Sequence, residues 1–134
     1  MFLQGKSFMA HKELILEHLK KAASKLKSAR TELDEKLYEE AVGAAYYAMF
    51  HAAKAVLLSK GISPKTHKGV ITELSKEFRD SFEPGAIASV SWGLERRIKA
   101  DYDVLFEPDK SEALKAISKA EAFMAEAKRV LNLK

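Results

Sequence analysis

The chain contains no cysteine, one tryptophan, three prolines and six glycines in 134 residues. Without cysteine there is no disulfide, no thiolate metal site and no cysteine nucleophile, and a reducing cytoplasm is compatible. No apolar run approaches the ~20 residues of a membrane-spanning helix. The opening MFLQGKSFMAHKE has neither the long apolar core nor the small-residue cleavage site of a secretory signal. A cytoplasmic protein without a membrane partner is therefore expected. The charge excess is also small: a net +4 permits contact with nucleic acid or an acidic partner and argues for neither.

The usual chemical signatures are missing as well. There is no Gly-rich phosphate loop, no His-Glu-x-x-His pair and no G-x-S-x-G elbow. His11 and His18 lie seven residues apart, without a third histidine or a carboxylate beside them, and read as solvated surface. No metal site and no cofactor are expected. Strand-like alternation, internal repeats and low-complexity tracts are absent too, which leaves an all-α class. A hydrophobic fraction of 47% and a charged fraction of 31% are ordinary for a globular protein. One domain over residues 1–134 is large enough for a core without staples.

The chain is organised around Leu37–Lys60, which reads as one helix with almost no polar side. At about 100° per residue, Leu37, Ala41, Ala44, Ala48, Ala52 and Ala55 form one stripe. Tyr46, Phe50, Ala53 and Leu57 lie nearly opposite. Such a helix is central to a bundle, or buries a face in a second copy. Its narrow polar arc carries Glu40, Tyr47, His51 and Lys54, spaced 7, 4 and 3 residues apart.

Around it, Ser7–Leu33 repeats Ile15, Leu19, Ala22, Leu26, Ala29 and Leu33 at steps of 3 and 4, an amphipathic helix. Asp34–Lys36 offers a cap and a turn so short that the two helices run antiparallel. GISPKTHKG is a basic loop with Lys60, Lys65, His67 and Lys68, and Gly61 suits a left-handed helix end. A short helix then buries Val70, Ile71, Leu74 and Phe78. After Asp80–Gly85 a fourth helix, Ala86–Leu105, carries Ile87, Val90, Leu94, Ile98 and Leu105 as its stripe. Arg97 and Asp101 lie in or beside that stripe, whereas Arg96 points to the far side. Asp109 and Glu112 form a capping box for the last helix. That helix buries Ala113, Ala116, Ile117, Ala120, Phe123, Met124, Ala127 and Leu131. The architecture is an up-and-down four-helix bundle with an additional short helix.

Two constellations could carry chemistry. On the central helix, His51 can exchange protons near neutral pH and Lys54 can neutralise a phosphate, with Tyr47 between them. The alternative is that Tyr47 and His51 are the semi-polar rim of a buried helix. On the fourth helix, Arg97 with Asp101 and Tyr102 is either a structural ion pair or a phosphate clasp. The residues alone leave both questions open.

YEEAVGAAYYAMFHAAKAVLLSKG, PKTHKG, the R-x-x-x-DYD stretch at Arg97–Asp103 and LFEP at Leu105–Pro108 together resemble the HEPN domain, in its small stand-alone branch. The resemblance implies an up-and-down helical bundle, usually dimeric; the central or fourth helix is the expected dimer face. Many such domains are metal-independent endoribonucleases, often toxins encoded beside a small nucleotidyltransferase partner. Others bind nucleotides or act as non-catalytic interaction modules. The family's ribonuclease motif is an arginine followed four to six residues later by histidine. Arg97 fits the arginine, but position 102 is Tyr102 and no histidine follows His67. An unperturbed tyrosine, with a pKa of ~10, is a poor base at neutral pH. His51 is then the substitute base expected from sequence, provided the central helix presents it to helix four, with Tyr102 as a positioning or acid group. Asp101, Tyr47 and Lys54 would join Arg97 in holding a phosphate or nucleotide.

Overall fold

The computed structural model describes residues 2–133, with side chains from residue 10 onward. It contains five helices and, among the described residues, no strand. They are α1 (Phe2–Asp34), α2 (Tyr38–Leu58), α3 (His67–Phe78), α4 (Ala86–Tyr102) and α5 (Lys110–Val130). α2 touches all four others. Tyr46, Met49, Val42, Val56 and Leu57 on it are almost fully enclosed, each contributing on the order of 1.5–3 kcal/mol by leaving water. α2 is long and apolar enough to cross a membrane, yet most of it is buried inside the bundle. Its arc of Glu40, Tyr47, His51 and Lys54 is left exposed or half-buried.

The connections show how the chain folds back. Lys36 takes a left-handed conformation (φ 64°), and the N–H of Leu37 donates to the Glu32 carbonyl at 2.8 Å. The N–H of Lys36 donates to Leu33 at 3.0 Å. This backbone pair is the Schellman closure that glycine usually makes. It replaces the expected side-chain cap, and the Leu37 position makes no such bond. Gly61 (φ 72°) ends α2 in the same way, as expected. Thr66 caps α3 by accepting from the Gly69 N–H at 2.9 Å.

α1 buries Ile15, Leu19, Ala22, Leu26 and Ala29, and every apolar position expected on α5 is buried. Asp109 accepts from the Glu112 N–H at 2.9 Å, which is one half of the expected capping box. α4 departs from expectation: it stops at Tyr102, because Asp103 is extended and its carboxylate accepts the Leu105 N–H at 2.9 Å. Leu105 is consequently 86% exposed instead of extending the stripe. Arg96 does lie on the far side, but it is held there, 5.1 Å from the Trp92 ring centre and 3.8 Å from Glu112 of α5.

Candidate functional site

α1 and α2 lie antiparallel, so Glu32 and Lys25 on one face Glu40 and Tyr47 on the other. α4 crosses this pair and adds Arg97 and Asp101. Together they line a cleft of about 320 Å³. Gly43 faces Arg97 at the crossing: a Cβ there would sit in ordinary contact, 3.5 Å from Arg97 Cδ. The guanidinium lies 5.2 Å from the Tyr47 ring centre, and its Nη1 pairs with Asp101 one turn along the helix. Burial works against the Arg97 charge, but Tyr47 and then Asp101 more than offset it, and the pKa rises. Glu32 is shifted upward by burial and by Glu40, partly opposed by Lys25. Glu32 Oε1 and Arg97 Nε are both buried without a hydrogen-bond partner among the described residues. A carboxyl with a raised pKa thus shares a cleft with a fixed positive charge, an arrangement suited to acid–base work on a phosphate.

Next to Tyr47 in the chain, Tyr46 is fully buried and its Oη lies 2.5 Å from Nδ1 of His67, the first residue of α3. Burial, then Tyr47, raises the Tyr46 pKa, so the phenol keeps its proton in this bond. His67 is pushed down by burial, Lys54 and Arg97. Its ring stacks on Phe50 at 4.3 Å and meets Tyr47 edge-on at 6.0 Å. His67 was not singled out as a site residue in the sequence. The signal was present, because His67, Val70, Leu74 and Phe78 are spaced 3, 4 and 4 residues along the buried stripe of α3.

His51 turns toward α1 and not toward α4. Its Nδ1 lies 3.1 Å from Nδ1 of His18, with the rings stacked at 5.3 Å. One nitrogen donates and the other accepts. Burial, then His18, Lys21, Lys25 and Lys54, pushes His51 down to about 4, and burial with Lys54 lowers His18. Lys54 lies over the Phe50 ring at 5.5 Å.

The structure therefore brings together Arg97, Asp101, Tyr47 and Glu40 of the residues read from sequence. His51 and Lys54 are on the same side of α2 but do not line the cleft. Glu40 and Lys54 are 14 positions apart, about 21 Å along the helix, so a shared face is not a shared site. Tyr102 is 82% exposed and also lies outside the cleft lining. Among the described residues, no group of three or more His, Cys, Asp or Glu is arranged to hold a metal ion.

Residues 15–130 match the family model described as "HEPN domain". The chain is 37% identical over 116 residues to a UPF0332 protein of Archaeoglobus fulgidus, covering 85% of this chain and 92% of that one. It is 40% identical over 114 residues to a Methanocaldococcus jannaschii protein named "Putative toxin MJ0605", covering 82% and 83%. Among solved structures, that of TT1696 from Thermus thermophilus superposes with a TM-score of 0.75 at 20% identity. It covers 87% of this chain and 97% of that one, a likeness of fold alone.

Proposed function

Because the chain belongs to the HEPN domain family, we propose that it is a toxin-like member directed at RNA, which it cleaves without a metal ion. The observation that carries this reading is Arg97, fixed over Tyr47 and beside Asp101 in a cleft that also holds Glu32. The toxin name of the M. jannaschii relative supports the class.

In this reading the Glu32 carboxylate takes the proton from a ribose 2′-hydroxyl. The 2′-oxygen bonds to phosphorus while the bond to the 5′-oxygen breaks. Arg97 stabilises the charge that builds on the phosphorane, and the Tyr47 phenol returns a proton to the departing oxygen. His51 and Tyr102 lie outside the cleft lining and have no part in these steps. A second copy docking through α4, and a small nucleotidyltransferase, are the partners this reading carries.

A non-catalytic nucleotide-binding module is the second reading. It is favoured by Asp101, which already neutralises Arg97, and by the lack of a histidine in the cleft lining. Cleavage of a mixed RNA pool in EDTA separates the two. We expect Arg97→Ala and Glu32→Gln each to lower cleavage by roughly 10²-fold or more with helicity intact. Folded wild type that leaves the pool untouched would establish the binding module.

A further inference from the structure

The PKTHKG turn takes no part in the cleavage steps, yet it is built closely. Thr66 caps α3, and a Cβ at Gly69 would lie 2.8 Å from Thr66 Oγ1 and 3.2 Å from Pro64 Cβ, so a side chain there would push the cap apart. The turn sets His67 at the head of α3, in line with Val70, Leu74 and Phe78. From there one imidazole reaches three side chains of α2. It bonds the phenol of the buried Tyr46 at 2.5 Å, stacks on Phe50 at 4.3 Å and meets the Tyr47 ring edge-on at 6.0 Å. Tyr47 is in fact met from three other helices: by Lys25 of α1 at 5.8 Å, by His67 of α3, and by Arg97 of α4 at 5.2 Å. Lys25 ends a flexible side chain, and Arg97 takes its own place from the Tyr47 face and from Asp101. Among the described residues, His67 is the one ring outside α2 that bears on Tyr47. A cation over a face attracts a ring but gives it no edge to rest on, whereas an edge-on ring does.

We infer that His67 is the positioning residue of the cleft: its ring, anchored by the Tyr46 phenol, holds the Tyr47 ring under the Arg97 guanidinium. The inference rests on the reading in which Tyr47 supplies the proton and Arg97 the charge. His67 itself lies outside the cleft lining and touches no substrate. Reacting groups keep their geometry when packed neighbours lock their rotamers, and a misplacement of about 1 Å can cost ~10²-fold in rate. Burial, Lys54 and Arg97 hold the imidazole pKa below its ordinary value, so at neutral pH the ring is uncharged and does not repel the guanidinium. A histidine that served only the Tyr46 hydroxyl would be replaceable by any acceptor. A positioning ring would not.

Two variants separate the ring from the hydrogen bond. His67→Asn puts a side-chain acceptor near the place of Nδ1 and removes the ring. Tyr46→Phe/His67→Phe removes both partners of the bond, strands no polar group and keeps a ring against Tyr47. The first readout needs no activity: it is the Arg97 Nε–Hε resonance of isotope-labelled protein, displaced by the Tyr47 ring current and identified by its loss in Arg97→Lys. We expect His67→Asn, with a cooperative melt retained, to move this resonance toward that of an exposed arginine. The double variant should return it most of the way. The second readout is RNA cleavage in EDTA. There kcat should fall about 10-fold in His67→Asn, with KM within about twofold of wild type, and recover in the double variant. A resonance that His67→Asn leaves in place, or that the double variant fails to restore, would overturn the inference. An unmoved resonance with normal cleavage sinks the role of His67 and leaves the catalytic reading standing. A resonance moved and restored in a protein that cleaves nothing does the reverse.

Discussion

The phenol of Tyr46 and Nδ1 of His67 meet at 2.5 Å, joining the fully buried centre of α2 to the first residue of α3. The bond fastens the start of α3 to the core of α2, beside the Tyr47 of the candidate site. Tyr46→Phe should therefore cost about 1–2 kcal/mol, since it strands a partly buried acceptor while leaving the ring packed. Urea denaturation of the variant checks this; an unchanged midpoint would mean that the bond contributes nothing.

Two glycines on facing helices should respond in opposite ways. A Cβ at Gly93 would lie 2.8 Å from Met49 Cε, the end of a flexible side chain, and 3.1 Å from the ring of Tyr46, which is fully buried and has little room to move. Gly93→Val should destabilise by about 2 kcal/mol or more. At Gly43 the nearest atom is Arg97 Cδ at 3.5 Å, an ordinary contact. Gly43→Ala should then stabilise by about 0.5–1 kcal/mol through helix propensity. Thermal melts of the two single variants decide both.

Acid should weaken the fold. His51 carries a pKa of about 4 folded against 6.5 when exposed, and His18 and His67 are lowered too. The unfolded chain therefore binds protons first, and stability present above about pH 6.5 is lost as pH falls toward 4. Discounted for the partial exposure of the ring, His51 accounts for about 1–2 kcal/mol. Glu32, shifted upward, acts in the other direction. The difference between wild type and His51→Gln between pH 7.5 and 5 isolates the histidine. A variant as acid-sensitive as wild type would refute this assignment.

The apolar residues at the end of α4 should mediate self-association. Ile98 is 48% exposed, Leu105 86% and Val104 94%, with nothing in the protomer covering them. Light scattering should give wild type a mass of twice 15.0 kDa, and Ile98→Asp/Leu105→Asp a single-chain mass with unchanged helicity. Monomeric wild type at tens of micromolar would remove the dimer from the proposed function.

Regular periodicity made most of the fold legible. α1, α2 and α5 show their buried stripes in the sequence, and Gly61 shows its turn. The end of α4 was hidden because apolar spacing continues past Tyr102, whereas a single carboxylate, Asp103, turns the backbone out of the helix. The left-handed Lys36 carried no signal, since any residue but glycine is a poor guess there. The site was legible in parts. Arg97, Asp101, Tyr47 and Glu40 were chosen from their faces, but Glu32, Lys25 and Gly43 join them only through the register between helices. His67 was concealed by its basic neighbours in the loop.

The near contact of α4 with α2 at Gly93 also has a mechanical meaning. With no side chain of its own at Gly93, α4 rests directly on Met49 and Tyr46 of α2 and is held at that point. Arg97 follows four residues later, a lever arm of about 6 Å. A load on the guanidinium therefore bends almost nothing, and the charge stays where the fold puts it. α4 ends one residue past Asp101, and Val104 and Leu105 beyond it stand exposed. A charge held against the core and an uncovered apolar edge thus lie within eight residues of each other, so whatever covers the edge comes to rest beside the guanidinium.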